Sequence, residues 1–297
     1  MEPIDKIVFG DNQFFGINHM SQEKAQQLSE KFHDLSSIIN VYQVAFDSGI
    51  RAVMLNSNDR AKSICEYFKD NKTKYPGLSW YPSIPYPHKY ANLISEKGII
   101  PTINEILFKD NSAMGLLGMI ATGSAAVLGK DAVKMMKMLI DVEMRMYKGL
   151  NVKAIFLQNI ITDLLLGYDV KEIFVEYCHY IKSKYKVLPG LITQNMPKLL
   201  EKLKEWQIEE VVICSSFNKI GYLMSPGIDS YINAATQNDP SKYQIMAMST
   251  LASGAINAKE AYEFINRQNV QSVVFGASSK KHIEETISLI SLELTVS

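Results

Sequence analysis

Eight short apolar runs rich in β-branched residues recur along the chain, each followed by small polar residues and then an amphipathic stretch. They are Lys6–Phe9, Ala52–Leu55, Leu78–Tyr81, Lys153–Leu157, Leu188–Ile192, Glu210–Ile213, Gln244–Met248 and Ser272–Phe275. A strand followed by a helix, repeated, is the pattern of βα units, whose strands run parallel because each crossover returns the chain to the same end. Eight units are what a closed (β/α)8 TIM barrel needs, and 297 residues hold a barrel of roughly 250 with room for decoration. No Ser/Gly/Pro tract or charge block interrupts the pattern, so residues 1–297 read as a single TIM-barrel domain.

Helical spacing of apolar residues predicts helices over Glu23–Asp47, Ala61–Lys72, Asp131–Leu150, Val170–Tyr185, Pro197–Trp206, Lys259–Gln268 and His282–Leu292. The segment Pro82–Lys130 is longer than a βα connection needs and reads as an inserted helical segment after strand 3, serving as a lid or an interface. Its apolar stretch Met114–Leu128 holds Gly115, Gly118 and Gly123 and falls short of the ~18 uninterrupted apolar residues of a membrane span. With no basic and apolar leader at the N-terminus, the expected location is cytoplasmic and no membrane partner is expected.

Composition narrows the function classes. The 31 basic residues balance 31 acidic ones, so no overall field gathers a polyanion and nucleic acid is not an expected partner. Cys65, Cys178 and Cys214 are far apart with no CxxC spacing, which argues against both a disulfide framework and a zinc site. No HxH, HExxH or facial carboxylate grouping occurs, so no metal is expected. A small-molecule ligand is the expected partner, and a homo-oligomer is compatible with the sequence.

In such barrels the polar residues after each strand converge on one mouth, and here amides outnumber acids. Asp11 follows strand 1 with Asn12 and Gln13, and is a candidate acid or base; its plain alternative is a turn carboxylate. Tyr86, His88 and Lys89 sit in the proline-stiffened PSIPYPHKY and are the other catalytic candidates, with surface decoration as the alternative. Asn12, Gln13, Asn56, Gln158, Asn195 and Asn218 are expected to orient a polar ligand, although each could instead bond backbone at a strand end. Ser278, Ser279 and Lys280 open the last helix, where free amides and the helix dipole favour a phosphate, and where serine is also a common cap.

The last third of the chain resembles the aldo-keto reductase superfamily. MAMSTLASGAI, ending at Ile256, is similar to that family's seventh-strand "SPLA-G" word, and Val273–Ile287, VVFGASSKKHIEETI, to its eighth-strand "IPGASSPEHLEEN" word. SSFNKIGYLMSP and AFDSGIRAVMLNSNDRAKSICEYFK resemble its sixth-strand and second-strand regions. The resemblance implies a nicotinamide cofactor, NADP or NAD, held by the loops of Ser249, Gly276, Ser278, Ser279, Lys280, His282 and Glu285, with Asn218 near the nicotinamide. It also implies an Asp and a Tyr after strand two, a Lys at strand three and a His at strand four. Here Asn56 or Ser57 stands near the Asp position with no Tyr following, LSWYPS has no lysine, and Gln158 stands where the His would be. His282 aligns with the arginine that clamps the adenosine phosphate, and Thr286 with a terminal Asn, whereas Glu285 is retained. An amide cannot donate a proton near neutral pH, and losing a general acid costs about 10²–10⁴ in rate.

Three readings result. In the first, a reductase-like barrel binds or converts a small polar, phosphorylated metabolite by different chemistry. In the second, an NAD(P)H-dependent oxidoreductase has Tyr81 or Tyr86 as a relocated proton donor. In the third, a non-catalytic barrel serves as a regulatory or assembly subunit.

Overall fold

In the computed structural model, residues 1–15, 27, 28, 30–58, 60–85 and 130–290 are described. Tyr86, His88, Lys89, the stretch Met114–Leu128 and nearly all of the predicted insertion lie outside these residues.

The strands are β1 (Ile7–Phe9), β2 (Ala52–Asn56), β3 (Ser79–Ile84), β4 (Asn151–Val152), β5 (Ala154–Leu157), β6 (Leu188–Thr193), β7 (Val211–Ser216), β8 (Tyr243–Met248) and β9 (Ser272–Phe275). Every predicted run is a strand or overlaps one. β4 pairs with the first residues of β3 and β5 with its last, so the two are one stave interrupted at Lys153. All pairings are parallel, in the order β2-β1-β9-β8-β7-β6-β5-β3, and β2 pairs with β3. That last pairing closes eight staves into a ring, the (β/α)8 barrel.

The helices among the described residues are α1 (Leu35–Asp47), α2 (Ala61–Asp70), α3 (Lys130–Met144), α4 (Asn159–Gly167), α5 (Lys171–Tyr180), α6 (Met196–Trp206), α7 (Ile228–Thr236), α8 (Ala258–Ile265) and α9 (Lys280–Leu289). Helices α4 and α7 are not among the predicted ones. Their patterns, NIITDLLLG and IDSYINAAT, do not divide into an apolar stripe and a charged face as the shorter AKEAYEFI of α8 does.

Strand alternation splits the apolar residues into two layers. Val8, Met54, Tyr81, Phe156, Ile192, Cys214, Met246 and Val274 pack together inside the ring. Their neighbours, such as Phe9, Val53, Trp80 and Leu157, pack outward against the helices, where Tyr42, Phe68 and Phe14 form edge-on and tilted ring contacts. The N-terminal end of the barrel is plugged by residues 2–5. Gln244 accepts from Ile4 N at 2.8 Å and donates to Glu2 O at 2.7 Å, and Asp5 pairs with Lys153 at 3.0 Å.

Tyr81 joins that plug: its hydroxyl donates to Asp5 Oδ2 at 2.6 Å. Of the two tyrosines weighed as a relocated proton donor, Tyr81 therefore points its phenol to the end opposite the mouth, and burial and the Asp5 charge hold it well above its ordinary pKa. The three cysteines are buried and unpaired, and burial pushes the Cys65 and Cys178 thiols up to about 12, which leaves them unreactive.

Candidate functional site

One layer above the interior core, on the same faces of their strands, lie Asn56 above Met54, Ser83 above Tyr81, Gln158 above Phe156 and Ser216 above Cys214. The C-terminal mouth is therefore floored by uncharged polar side chains. Asp11 stands beside this floor, buried at 2% exposure just past β1.

Asp11 Oδ2 accepts from Asn56 N at 2.8 Å, and Oδ1 from Asn56 Nδ2 at 2.6 Å. Asn58 Nδ2 approaches Oδ2 at 3.5 Å, while Asn58 Oδ1 accepts from Arg60 N and Ala61 N at the start of α2. Burial pushes the Asp11 carboxyl up to about 7, against the pull of the two Asn56 donors. The Tyr42 hydroxyl lies in the same buried region without a hydrogen-bond partner; burial first, then the Asp11 charge, hold its phenol far above the usual range.

The ionised carboxylate imposes a direction on the amides beyond it. A carboxylate only accepts, so Asn56 must turn its NH₂ toward Asp11 and its oxygen away. Asn56 Oδ1 then accepts from Gln158 Nε2 at 2.6 Å, and the same nitrogen donates to Ser83 Oγ at 2.8 Å and Ser83 O at 3.2 Å. With both donors of Gln158 turned to protein, Gln158 Oε1 makes no hydrogen bond among the described residues and remains an acceptor for something else. Ser83 Oγ, which accepts here, keeps its proton to give. Two more buried polar atoms lack partners: Ser216 Oγ and Gln13 Oε1. Gln13 donates to Gly10 O at 2.8 Å, and its oxygen occupies the space a β-carbon would need at Gly276, 2.0 Å from where that carbon would lie.

The other sequence candidates fall into separate places. Asn12 is exposed in a short helical turn after β1. Asn195 Oδ1 caps α6 by accepting from Lys198 N at 3.2 Å. Asn218 folds its own loop, donating to Tyr222 O and accepting from Tyr222 N at 2.8 Å each. Its amide pattern is that of a turn-former, a reading that only the loop conformation could select. Asn195→Ala is expected to lower stability by about 1 kcal/mol, the usual cost of losing a cap. Denaturant unfolding checks this, and ligand affinity is expected to stay unchanged.

At the last helix, Ser279 Oγ accepts from His282 N at 3.4 Å, and Lys280 pairs with Glu284 at 3.6 Å. Lys31 donates to Ser278 O at 3.0 Å. His282 and Glu285 are exposed. The loop after β8 holds three non-glycine residues in left-handed conformations, Ser249 at φ 53°, Ala252 at 47° and Ser253 at 57°. Such conformations are disfavoured by of order 1 kcal/mol or more each and concentrate at functional loops.

Tyr42 and Asp163 are site-region residues that sequence reasoning did not choose. Asp163 of α4 accepts from Thr193 Oγ1 and from Gln194 N at 3.0 Å, and burial raises its carboxyl above the ordinary value. The inward phase of Tyr81 and Cys214 carried the signal for Ser83 and Ser216, because residues two apart in a strand share a face. Among the described residues no group of three His, Cys, Asp or Glu side chains could hold a metal ion, and no helix is long and apolar enough to cross a membrane.

The fold is similar to those of solved aldo-keto reductases. One from the silkworm, Bombyx mori, superposes with a TM-score of 0.57 at 10% identity, covering 98% of this chain and 80% of that one. One from Brucella melitensis gives 0.52 at 10% identity, covering 98% and 90%, and the holo form of one from Bacillus halodurans gives 0.53 at 9%, covering 96% and 86%. At identities this low the superpositions show a shared barrel architecture alone. No family model and no curated protein matches the sequence.

Proposed function

We propose that the chain is a divergent member of the aldo-keto reductase superfamily that binds and converts a small hydroxylated metabolite at the C-terminal mouth of the barrel. The chemistry would differ from reduction by a tyrosine proton donor. The observation that carries this reading is the directed chain Asp11–Asn56–Gln158–Ser83, which spans four staves and ends in one free acceptor and one free hydroxyl proton. A hydroxyl of the ligand can donate to Gln158 Oε1, and a second ligand oxygen can accept from Ser83. Ser216 Oγ and Gln13 Oε1 add two buried polar atoms in want of partners, each costing about 1–3 kcal/mol while unpaired. Ser278 and Ser279, at the start of α9, would receive a phosphate on the ligand, with Lys280 beside them.

The barrel likeness to aldo-keto reductases favours a second reading, an NAD(P)H-dependent oxidoreductase with a different proton donor. Thermal-shift titration at pH 8 with ribose, ribose 5-phosphate and NADPH separates the two. We expect saturable stabilisation by the pentoses, stronger for the phosphate, and a loss of affinity of at least about tenfold in Gln158→Leu, the usual scale for losing a buried acceptor. Stabilisation by NADPH alone, with its oxidation on adding a carbonyl compound, would establish the second reading instead.

A further inference from the structure

A cavity of about 640 Å³ opens at the other end of the barrel, far from the mouth, beside β4 and the start of β6. That volume is within the roughly 300–1,000 Å³ range of small-molecule sites. Met144, Leu150, Val152, Tyr185 and Val187 line its apolar part, and Arg145, Lys148 and Lys184 its charged part. Asp141 is its one acidic residue.

The charges do not balance. Asp141 accepts from Tyr180 and Tyr185 hydroxyls at 2.7 Å each and from Lys184 Nζ. Burial works against its ionisation, but these three donors hold its carboxyl below the ordinary range, so its charge is present and is spent on Lys184. Arg145 and Lys148, both exposed, form no ion pair among the described residues. Gly149, at φ 87°, turns the chain between Lys148 and Leu150, and Lys72 Nζ lies 3.6 Å from where its β-carbon would be. A third cation therefore stands at the same rim. In a chain of zero formal charge, a concave wall with this cation excess concentrates a local positive field.

We propose that this groove is a second ligand site, for a small organic phosphate whose apolar body lies along Leu150, Val152 and Val187 and whose anionic head meets Arg145 and Lys148. It is independent of the mouth: no residue of the Asp11–Gln158 chain lines it. Arginine supplies a planar fork for phosphate oxygens, and lysine a mobile point charge beside it.

The test is fluorescence titration of the full chain with 8-anilinonaphthalene-1-sulfonate at low ionic strength, followed by displacement. Expected is one saturable site whose dissociation constant rises at least tenfold in R145Q/K148Q and further in R145E/K148E, and is unchanged in Gln158→Leu. Both substituted side chains are exposed, so thermal unfolding of the variants is expected to match that of the parent chain. Phenyl phosphate is expected to displace the dye at concentrations where inorganic phosphate does not, because only the former covers the apolar wall. Equal affinity in the parent and R145E/K148E, loss of the site in Gln158→Leu, or equal displacement by inorganic phosphate would each overturn the proposal.

Discussion

Asp11→Asn is expected to remove a pH dependence of about 4 kcal/mol from the stability of the protein. The carboxyl rises from 3.8 to about 7 on folding, and each unit is worth about 1.4 kcal/mol. Between those values the unfolded chain has already released the proton that the folded chain retains. The Asp11 contribution to stability is thus greatest below pH 4, falls as pH rises toward 7 and is level above it. Subtracting the unfolding curve of Asp11→Asn from that of the parent isolates this contribution from the other carboxylates; a difference that does not change between pH 4 and 8 would contradict it. The same substitution acts on the mouth. Asparagine at this position offers an NH₂ where a carboxylate oxygen stood, so Asn56 must reverse, and Gln158 with it. The mouth then presents a donor in place of the Gln158 acceptor. For a ligand that donates there, affinity at pH 8 is expected to fall by about 10²-fold, of the order of a lost hydrogen bond plus an unpaired group. In the parent chain, affinity is expected to weaken as pH drops through about 7, where Asp11 gains its proton.

Gly190→Ala is expected to destabilise the barrel through its interior core. Gly190 pairs with Phe156 across β5 and β6, and the Phe156 ring lies over it inside the ring of strands. A β-carbon at 190 would meet the ring at 2.4 Å, and the ring, fully buried, has nowhere to go. Overpacking of this kind costs about 1–3 kcal/mol, and each kcal/mol lowers the melting temperature of a chain this size by roughly 2–4 °C. Calorimetry of the single variant and of Gly190→Ala/Phe156→Leu checks the cause. The smaller side chain is expected to tolerate the added methyl, so the double variant should lose less than the two single changes together. Strict additivity would mean that the clash is not the source.

The sequence by itself determined the number of staves and, to within a few residues, their bounds. Runs such as Ala52–Leu55 and Ser272–Phe275 are apolar on both faces, which a parallel strand covered inside and outside requires, and eight of them close into a ring. Asp11, Asn56 and Gln158 were legible as candidates for the same kind of reason, since each follows a strand and strand ends gather at one mouth. What each polar residue bonds to was not legible. Asn56, Asn195 and Asn218 are chemically the same residue, yet one is oriented by a carboxylate 45 positions away in the chain, one caps a helix and one closes a loop. Only tertiary structure decides among these, because a side-chain hydrogen bond depends on an ångström-scale distance between groups whose separation the local sequence does not set. The helices α4 and α7, the need for glycine at 190 and the cationic groove behind the barrel belong to the same class: each arises where two or three segments meet, and none leaves a periodic trace in any one of them.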